Sequence, residues 1–584
     1  MLEQTKTRSS VLLDNKYKEF FLPTILMAMT LTMSIVVDSI IVGNMLGANA
    51  LAAVNLVLPM VMVYNTVAIC LGLGSATLIS IAKGRRDTNY ADAVFTTLLG
   101  STLVISFIML AGQFVSLDNI VELLTREPSL RPLVKSYLHV LVWGTPLIIL
   151  VPSLAYCLRV DGQVKLASTI LIISNLVNLA LDLVYMGPLK MGIAGSSLAT
   201  VSGYIIGGLF LLPYIFSDKR SLHVKLEILA APSGFLTNLV AIAKTGFPAA
   251  MGSILITFKI LCINHIVLAV AGKSALVAFS VCLSCLSFVS MFIAGTAQAM
   301  TPIVGVLFGE KDYRGIRFVV RRTFTILLLA SIASIILLES IPGQILELFG
   351  IHHPADLAEG IPAIRIFSLS LIGTSITFLS MFYYLTIGRT KLSTAISAVQ
   401  GAGVVPIALL LSGIMGAAGI WLAFSLAEVI TILMILLCYF FLWSKYPQRY
   451  NSLLLLDQQE LPEGSRFETT CTGDADTLTE VSSLIEAFTC KSGLPVETTE
   501  EIKRGVYIAA AAIFNHPSTT GKEKHLDISI SISASEIIVS LRDNETKMSP
   551  PQSDELDKKL SQICKLQYSQ AIGFNNHNLI FDRT

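Results

Sequence analysis

The chain of 584 residues is 53% hydrophobic and only 14% charged, with a formal net charge of +1. Soluble proteins carry about a quarter charged residues, so an ordinary soluble enzyme, a disordered chain and a secreted disulfide scaffold are excluded, and no overall basic field points to nucleic acid. From Asn451 onward there are 20 acidic and 12 basic residues, against 20 and 29 before it, so a mildly basic apolar body carries an acidic polar tail.

In chain order, a charged N-terminus (1–19) without the pattern of a cleaved leader comes first. Twelve apolar stretches of the length needed to cross the hydrocarbon layer follow, at 20–44, 52–81, 93–114, 135–157, 165–187, 192–215, 245–270, 276–307, 319–340, 361–387, 393–412 and 416–443. The segments between them alternate in charge. Lys6, Arg8, Lys16, Lys18, KGRRD at 83–87, Arg159, Lys165, SDKRSLHVK at 217–225, EKDYRGIR at 310–317, Arg321, Arg322, Arg389, Lys391, Lys445 and Arg449 fall on one side. Only Arg126, Arg131, Lys135, Lys190, Lys273 and Arg365 fall on the other. Basic segments stay in the cytoplasm, so both termini are expected there, in a bacterial-type inner (plasma) membrane.

The two halves repeat at an offset near 225 residues. Pro23 matches Pro248, Gly47 matches Gly272, KGRRD at 83–87 matches FGEKD at 308–312, and GIAGSSLA at 192–199 matches GAAGIWLA at 416–423. Six spans per copy is an even number, so the copies share one orientation. The expected fold is an all-α polytopic membrane protein: two six-helix bundles (20–216 and 245–444) related by a pseudo-twofold along the membrane normal. A cytoplasmic linker at 217–244 joins them. A second linker at 445–466 leads to a small α+β cytoplasmic domain at 467–584.

Charges inside a span cost about 2.5–3.5 kcal/mol on insertion scales, so each needs an explanation. Asp38 lies in the first span, Asp182 in the fifth with Asn178 one turn earlier, and Ser196 and Thr200 one turn apart in the sixth. Hard oxygen ligands of this kind suit Na⁺, and a buried carboxylate suits H⁺. The plain alternative is that they hydrogen-bond helices together.

The twelve spans, the six-plus-six duplication and the glycine–acid loop after the second span of each half resemble the multidrug and toxic compound extrusion (MATE) transporters, over about residues 12–445. In the branch with an N-terminal cation site, an Asp in the first span joins Asn-x-x-x-Asp in the fifth and a Thr in the sixth. Asp38, Asn178, Asp182 and Thr200 fall on that pattern. Pro23 falls where the family's first span bends, which makes it a candidate hinge or a local kink.

The C-terminal half departs from the branch that carries acids in the seventh and tenth spans. Its seventh span offers Lys259, Asn264 and His265 instead, and its twelfth offers Glu428. Lys259, His265 and Glu428 are candidates for a substrate cavity. Lys259 is open to three readings: neutralising an acid such as Glu428, contacting an anionic substrate, or snorkelling to an interface. His265 is open to titration or to plain packing.

In the tail, 476–491 and 498–514 pattern as helices and 526–544 as a strand hairpin. With a final GFNNHNLIF, this faintly resembles the anti-sigma-factor and histidine-kinase type ATPase fold, in degenerate form. Ala509 to Ala512 fill the turn where that fold needs an acid and an Asn. Asp543 stands where its adenine-binding Asp would, but Glu545 replaces a Gly. A regulatory partner of this domain is expected, rather than catalysis. No P-loop occurs, which disfavours an ATP-driven pump. The nine cysteines form no framework; the CxxC pair Cys282 and Cys285 lies in an apolar run and reads as packing. His352, His353 and Asp356 read as a solvated loop.

The sequence thus reads as a secondary exporter, not an enzyme. It would exchange H⁺ or Na⁺ for small amphipathic organic compounds, with membrane lipid around it and no other cofactor. A lipid-linked glycan flippase of the same superfamily and a membrane sensor signalling through the tail are the alternatives.

Overall fold

The computed structural model describes residues 9–217, 220–230, 232–348, 351, 353–450, 452–457, 466–472, 475–515, 524–533, 536–544 and 550–582. They form two compact units. The larger takes in Glu19–Asp312 and Val319–Cys438; the smaller takes in Met1–Lys18, Tyr313–Phe318 and Tyr439–Thr584.

Eleven helices among the described residues are long and apolar enough to cross a membrane. The first helix, Val11–Leu46, makes the twelfth span and runs through Pro23 without a break. The second and third spans are Ala48–Gly84 and Thr88–Val115. The fourth, fifth and sixth are Arg131–Val160, Val164–Met186 and Ile193–Ile215. In the second half, one helical run from Pro232 to Gly309 bends at Gly272, where φ is 78° and ψ −166°. The seventh span, Pro232–Gly272, therefore starts inside the segment that the sequence reading assigns to the 217–244 linker: residues 232–244 are helical and continuous with the span. The eighth to twelfth spans end at Gly309, Ser340, Thr386, Met415 and Lys445.

The repeat is visible in the backbone. Gly47 (φ 85°) and Gly272 (φ 78°) make the same left-handed break between successive spans, and Gly192 (φ 62°) and Gly416 (φ 58°) do so before the sixth and twelfth. Only glycine takes these angles without strain, so the duplicated glycines hold duplicated turns.

The halves meet along the second, seventh and eighth spans, near the face where the first span begins (the terminal face). A Cβ on Gly84 would run into the Val306 carbonyl and come within 2.9 Å of the Gly309 Cα. A Cβ on Gly309 would meet the Ile81 carbonyl and come within 2.8 Å of the Gly84 Cα. A Cβ on Gly246 would meet the Cys70 carbonyl. Backbone lies on backbone here, and the terminal face is shut between the two halves. Toward the opposite face, the same helices line cavities.

At the terminal face of the N-terminal bundle, Asp161 ties the inter-bundle segment down. Lys83 Nζ donates to its Oδ1 at 2.6 Å, Tyr214 Oη to its Oδ2 at 2.6 Å, and the Ser221 amide to its Oδ2 at 3.2 Å. Burial alone would raise the Asp161 carboxyl, but the Lys83 charge and the donors from Lys83, Ser221 and Tyr214 outweigh it and hold it below the ordinary range. Removing one partner of a buried pair leaves the other charge uncompensated, which costs about 3–5 kcal/mol. Asp161→Asn should therefore lower the thermal midpoint of the protein in detergent markedly. Because the folded pKa is depressed, the pair's contribution is present above the unfolded value of about 3.9 and is lost as pH falls through the folded one. Acidification below about pH 4 should accordingly cost the wild type stability that Asp161→Asn no longer has to lose.

The smaller unit is an α+β domain with an antiparallel five-stranded sheet in the order β1-β2-β3-β5-β4. Its strands are β1 (Arg466–Thr472), β2 (His525–Ile532), β3 (Glu536–Asp543), β4 (Lys565–Ala571) and β5 (Phe574–Asp582). The helices Ala475–Lys491 and Val496–Asn515 stand between β1 and β2, and Pro550–Leu560 between β3 and β4. Ile502, Val506, Ala509 and Ile513 of the second helix pack with Ile528, Val539, Leu541 and Leu579 of the sheet into one core. The start of the first span joins this unit: the Ser9 amide donates to Thr470 Oγ1 at 2.9 Å, and Lys16 and Arg542 lie over the Phe574 ring at 5.0 and 5.3 Å.

Candidate functional site

The polar residues of the first, fifth and sixth spans converge. Asp182 is fully buried, Ser196 likewise, and Asn178 is 7% exposed. Asn178 Nδ2 donates to Thr200 Oγ1 at 3.1 Å and reaches Asp182 Oδ2 at 3.5 Å; Ser196 Oγ donates to Asp38 Oδ1 at 3.3 Å. The Asp38 and Asp182 carboxyl groups are neighbours in this cluster, joined to it through Ser196 and Asn178. Asp182 Oδ1 is buried yet accepts no hydrogen bond from a donor among the described residues. All five sequence-derived residues are thus brought into one cluster around two carboxyl groups. That is a donor set a proton or a hard cation fits.

Asp38, Asn178 and Thr200 line a cavity of about 420 Å³ in the N-terminal bundle, with Asp182 and Ser196 behind them. Two members were not singled out from sequence. Ser34, one turn before Asp38, donates to Asn178 Oδ1 at 3.4 Å. Tyr137 of the fourth span, buried, stands beside Ser196 and the two acids. A serine in a span and a tyrosine near a span end are too ordinary to stand out. Pro23 lies on the first span fifteen residues before Asp38, and no break in the helix marks it.

In the C-terminal bundle a second cavity of about 250 Å³ is lined by Lys259, Glu428, Gln400 and Thr374. It shares Ile69, Tyr156, Ala294 and Gln298 with the first. Glu428 does not pair with Lys259. Its Oε1 accepts from Thr374 Oγ1 at 3.0 Å and Gln400 Nε2 at 3.1 Å, and its Oε2 from Thr377 Oγ1 at 2.7 Å.

His265 is not part of this cavity, contrary to the expectation from sequence; it is exposed and lines neither cavity. Six residues on a helix rotate by about 240°, so a residue at 265 points away from the face that Lys259 occupies.

Cys282 and Cys285 carry free thiols among Phe367 and Leu371, as packing residues do. Among the described residues no group of three or more His, Cys, Asp and Glu side chains could hold a metal ion. His352 and the side chain of Asp356 lie outside the described residues. In the smaller unit, Asp543 cannot serve as an open acid: it is 3% exposed, accepts from Asn575 Nδ2 at 2.9 Å and faces His577 Nε2 at 3.5 Å. Glu545 lies outside the described residues.

Comparison with known proteins agrees with the twelve-span architecture. A family model described as MatE matches residues 23–184 and 248–411, one match per half and together more than half of the chain. The probable multidrug resistance protein YoeA of Bacillus subtilis is 26% identical over 458 residues, covering 76% of this chain and 97% of that protein. The multidrug export protein MepA of Staphylococcus saprophyticus is 22% identical over 423 residues, covering 72% and 91%. Among solved structures, MATE in the bent conformation superposes with a TM-score of 0.69 at 19% identity, covering 75% of this chain and 97% of that one. An outward-facing multidrug resistance MATE transporter superposes at 0.68 and 20%, covering 74% and 97%. The chain belongs to the MatE family.

Proposed function

We propose that this protein exports small amphipathic organic compounds across the membrane, driven by H⁺ or Na⁺ moving inward through the Asp38/Asp182 cluster. The observation that carries this reading is the pair of neighbouring carboxyl groups, one on a cavity wall and one behind it. Two negative charges side by side in a hydrocarbon layer are strongly unfavourable, so the cluster holds a proton or a cation whenever it is closed off. The naming of its relatives as multidrug proteins supports an organic cargo.

The coupling follows from differential binding. With Gly84 packed against Gly309 at the terminal face, access to the cavities would be from the opposite face. The bias of basic loops makes the terminal face the cytoplasmic one, so the inner (plasma) membrane of a bacterial-type cell would present the cluster to the outside, where the driving ion is abundant. Ion binding at Asp38 and Asp182 neutralises the first span at the cavity wall, with Pro23 as the hinge about which that span moves. The cargo is then released outward, and the halves rock to expose the other face. One charge crossing 100 mV supplies about 2.3 kcal/mol. The chain works as a transporter without enzymatic chemistry, within membrane lipid, and its smaller unit would be the docking point for a regulatory partner.

The test is uptake of two fluorescent amphipathic probes, one cationic and one anionic, into inside-out vesicles under an imposed H⁺ or Na⁺ gradient. Accumulation of either probe under one of the gradients, collapsing when that gradient is dissipated, is the expected result. Equal signals in vesicles with and without the protein would overturn the reading.

A further inference from the structure

We propose that the cavity of the C-terminal bundle is a binding site for the anionic head group of an amphipathic compound, a carboxylate, sulfonate or phosphate held by Lys259 beside an aromatic wall. This rests on the reading of the protein as an exporter of small organic compounds and names a substrate class for it.

Three readings of Lys259 were open from sequence, and the geometry separates them. Snorkelling fails on distance. Lys259 lies thirteen residues before the Gly272 break, about 20 Å along the helix from the far end of its span, which a lysine stem cannot bridge. Direct pairing with Glu428 fails on contact: Lys259 makes no ion pair within 4.0 Å and no hydrogen bond among the described residues, and the Glu428 oxygens are taken up by Thr374, Thr377 and Gln400, so the two charges attract each other across the cavity without touching. What Lys259 does touch is the face of Phe424, with its ammonium 5.7 Å from the ring centroid. That leaves a cation in the middle of a membrane, lining a cavity, with three donor hydrogens uncommitted.

A charge in this position is costly, and Glu428 offsets that cost only in part because burial outweighs it, so an anion entering the cavity adds to the compensation. The rest of the wall says what that is. Phe424 is held by Phe367, whose ring lies 4.5 Å away, and by Phe279, which stacks on Trp421 at 5.5 Å. A braced aromatic surface takes an aromatic or alicyclic body, and the ammonium above it takes the acidic end. An organic cation, by contrast, would meet Lys259 head-on, and would find Glu428 with its oxygens already occupied by three donors. Glu428 instead fixes Thr374 and Gln400 at the cavity edge, where they can serve a head group as further polar contacts.

The experiment measures binding of a head-group series on one pyrene body to the purified full-length protein in detergent, by fluorescence anisotropy: pyrenebutyrate, its methyl ester, and the matching trimethylammonium compound. The carboxylate should bind at least about tenfold more tightly than the ester. Lys259→Met should remove that preference while leaving ester affinity within about twofold, and Lys259→Arg should restore most of it. Unchanged carboxylate binding in Lys259→Met, or equal loss of all three probes in a variant that remains folded, would overturn the proposal. So would a wild type that shows no preference for the carboxylate. Failure of the exporter reading shows elsewhere, as absence of gradient-driven uptake in vesicles. Failure here leaves that uptake intact and removes only the head-group preference.

Discussion

Asp182→Asn should reduce gradient-driven uptake to the level of vesicles lacking the protein, and Asp38→Asn should do the same. Asp182 is fully buried, and Asp38 is its link to the cavity. An amide is nearly isosteric with a carboxyl but neither binds a transferable proton nor offers a charge to Na⁺. The substitution also removes one of two neighbouring like charges, so the thermal midpoint in detergent should not fall. Loss of transport with retained melting behaviour separates a coupling role from helix–helix adhesion. If the two acids merely held the first, fifth and sixth spans together, both variants would melt earlier, and transport would fall only in proportion to folded protein.

The second large effect is expected at the closed terminal face. Gly84→Val and Gly309→Val each push a side chain into backbone of the opposite half, at Val306 and at Ile81 respectively, where no side-chain rotation can make room. Overpacking of this kind costs about 1–3 kcal/mol, and all of it falls on the conformation in which the halves touch. The closed population should drop by a factor of about 5 to 150. Spin labels at Arg85 and Lys311, both exposed on that face, report it directly in a background freed of native cysteines. The wild type should give a short inter-label distance, and either valine variant a population at longer distance together with slowed export. An unchanged distance distribution would mean that the glycine contact does not hold the face shut.

Much of this was legible before any coordinates, because a bilayer leaves few choices to the backbone. Twelve apolar runs became twelve spans, since a chain without water must close its hydrogen bonds within a helix. The cluster around Asp182 was legible for the complementary reason: carboxylates are so costly in a span that each one marks itself. Ser34 and Tyr137 carry no such mark, and their membership depends on which way the first and fourth spans turn. The same missing quantity, rotational phase about a helix axis, explains why His265 was wrongly grouped with Lys259 and why Glu428 was offered a lysine when Thr374, Thr377 and Gln400 were nearer. In the smaller unit the two helices and the β2–β3 hairpin follow from their periodicity. The pairing of β1 with β2 and of β5 with β3 depends on long-range register that no local pattern encodes.

The most direct measurement runs the proposed cycle backwards: purified protein in sealed liposomes, a gradient of organic substrate alone, and a recording of H⁺ or Na⁺ movement with an internal indicator. Exchange predicts that substrate moving one way drives the ion the other way in the wild type, and that Asp38→Asn abolishes this flux. Substrate movement with no accompanying ion flux, or a flux that persists in Asp38→Asn, would contradict the account.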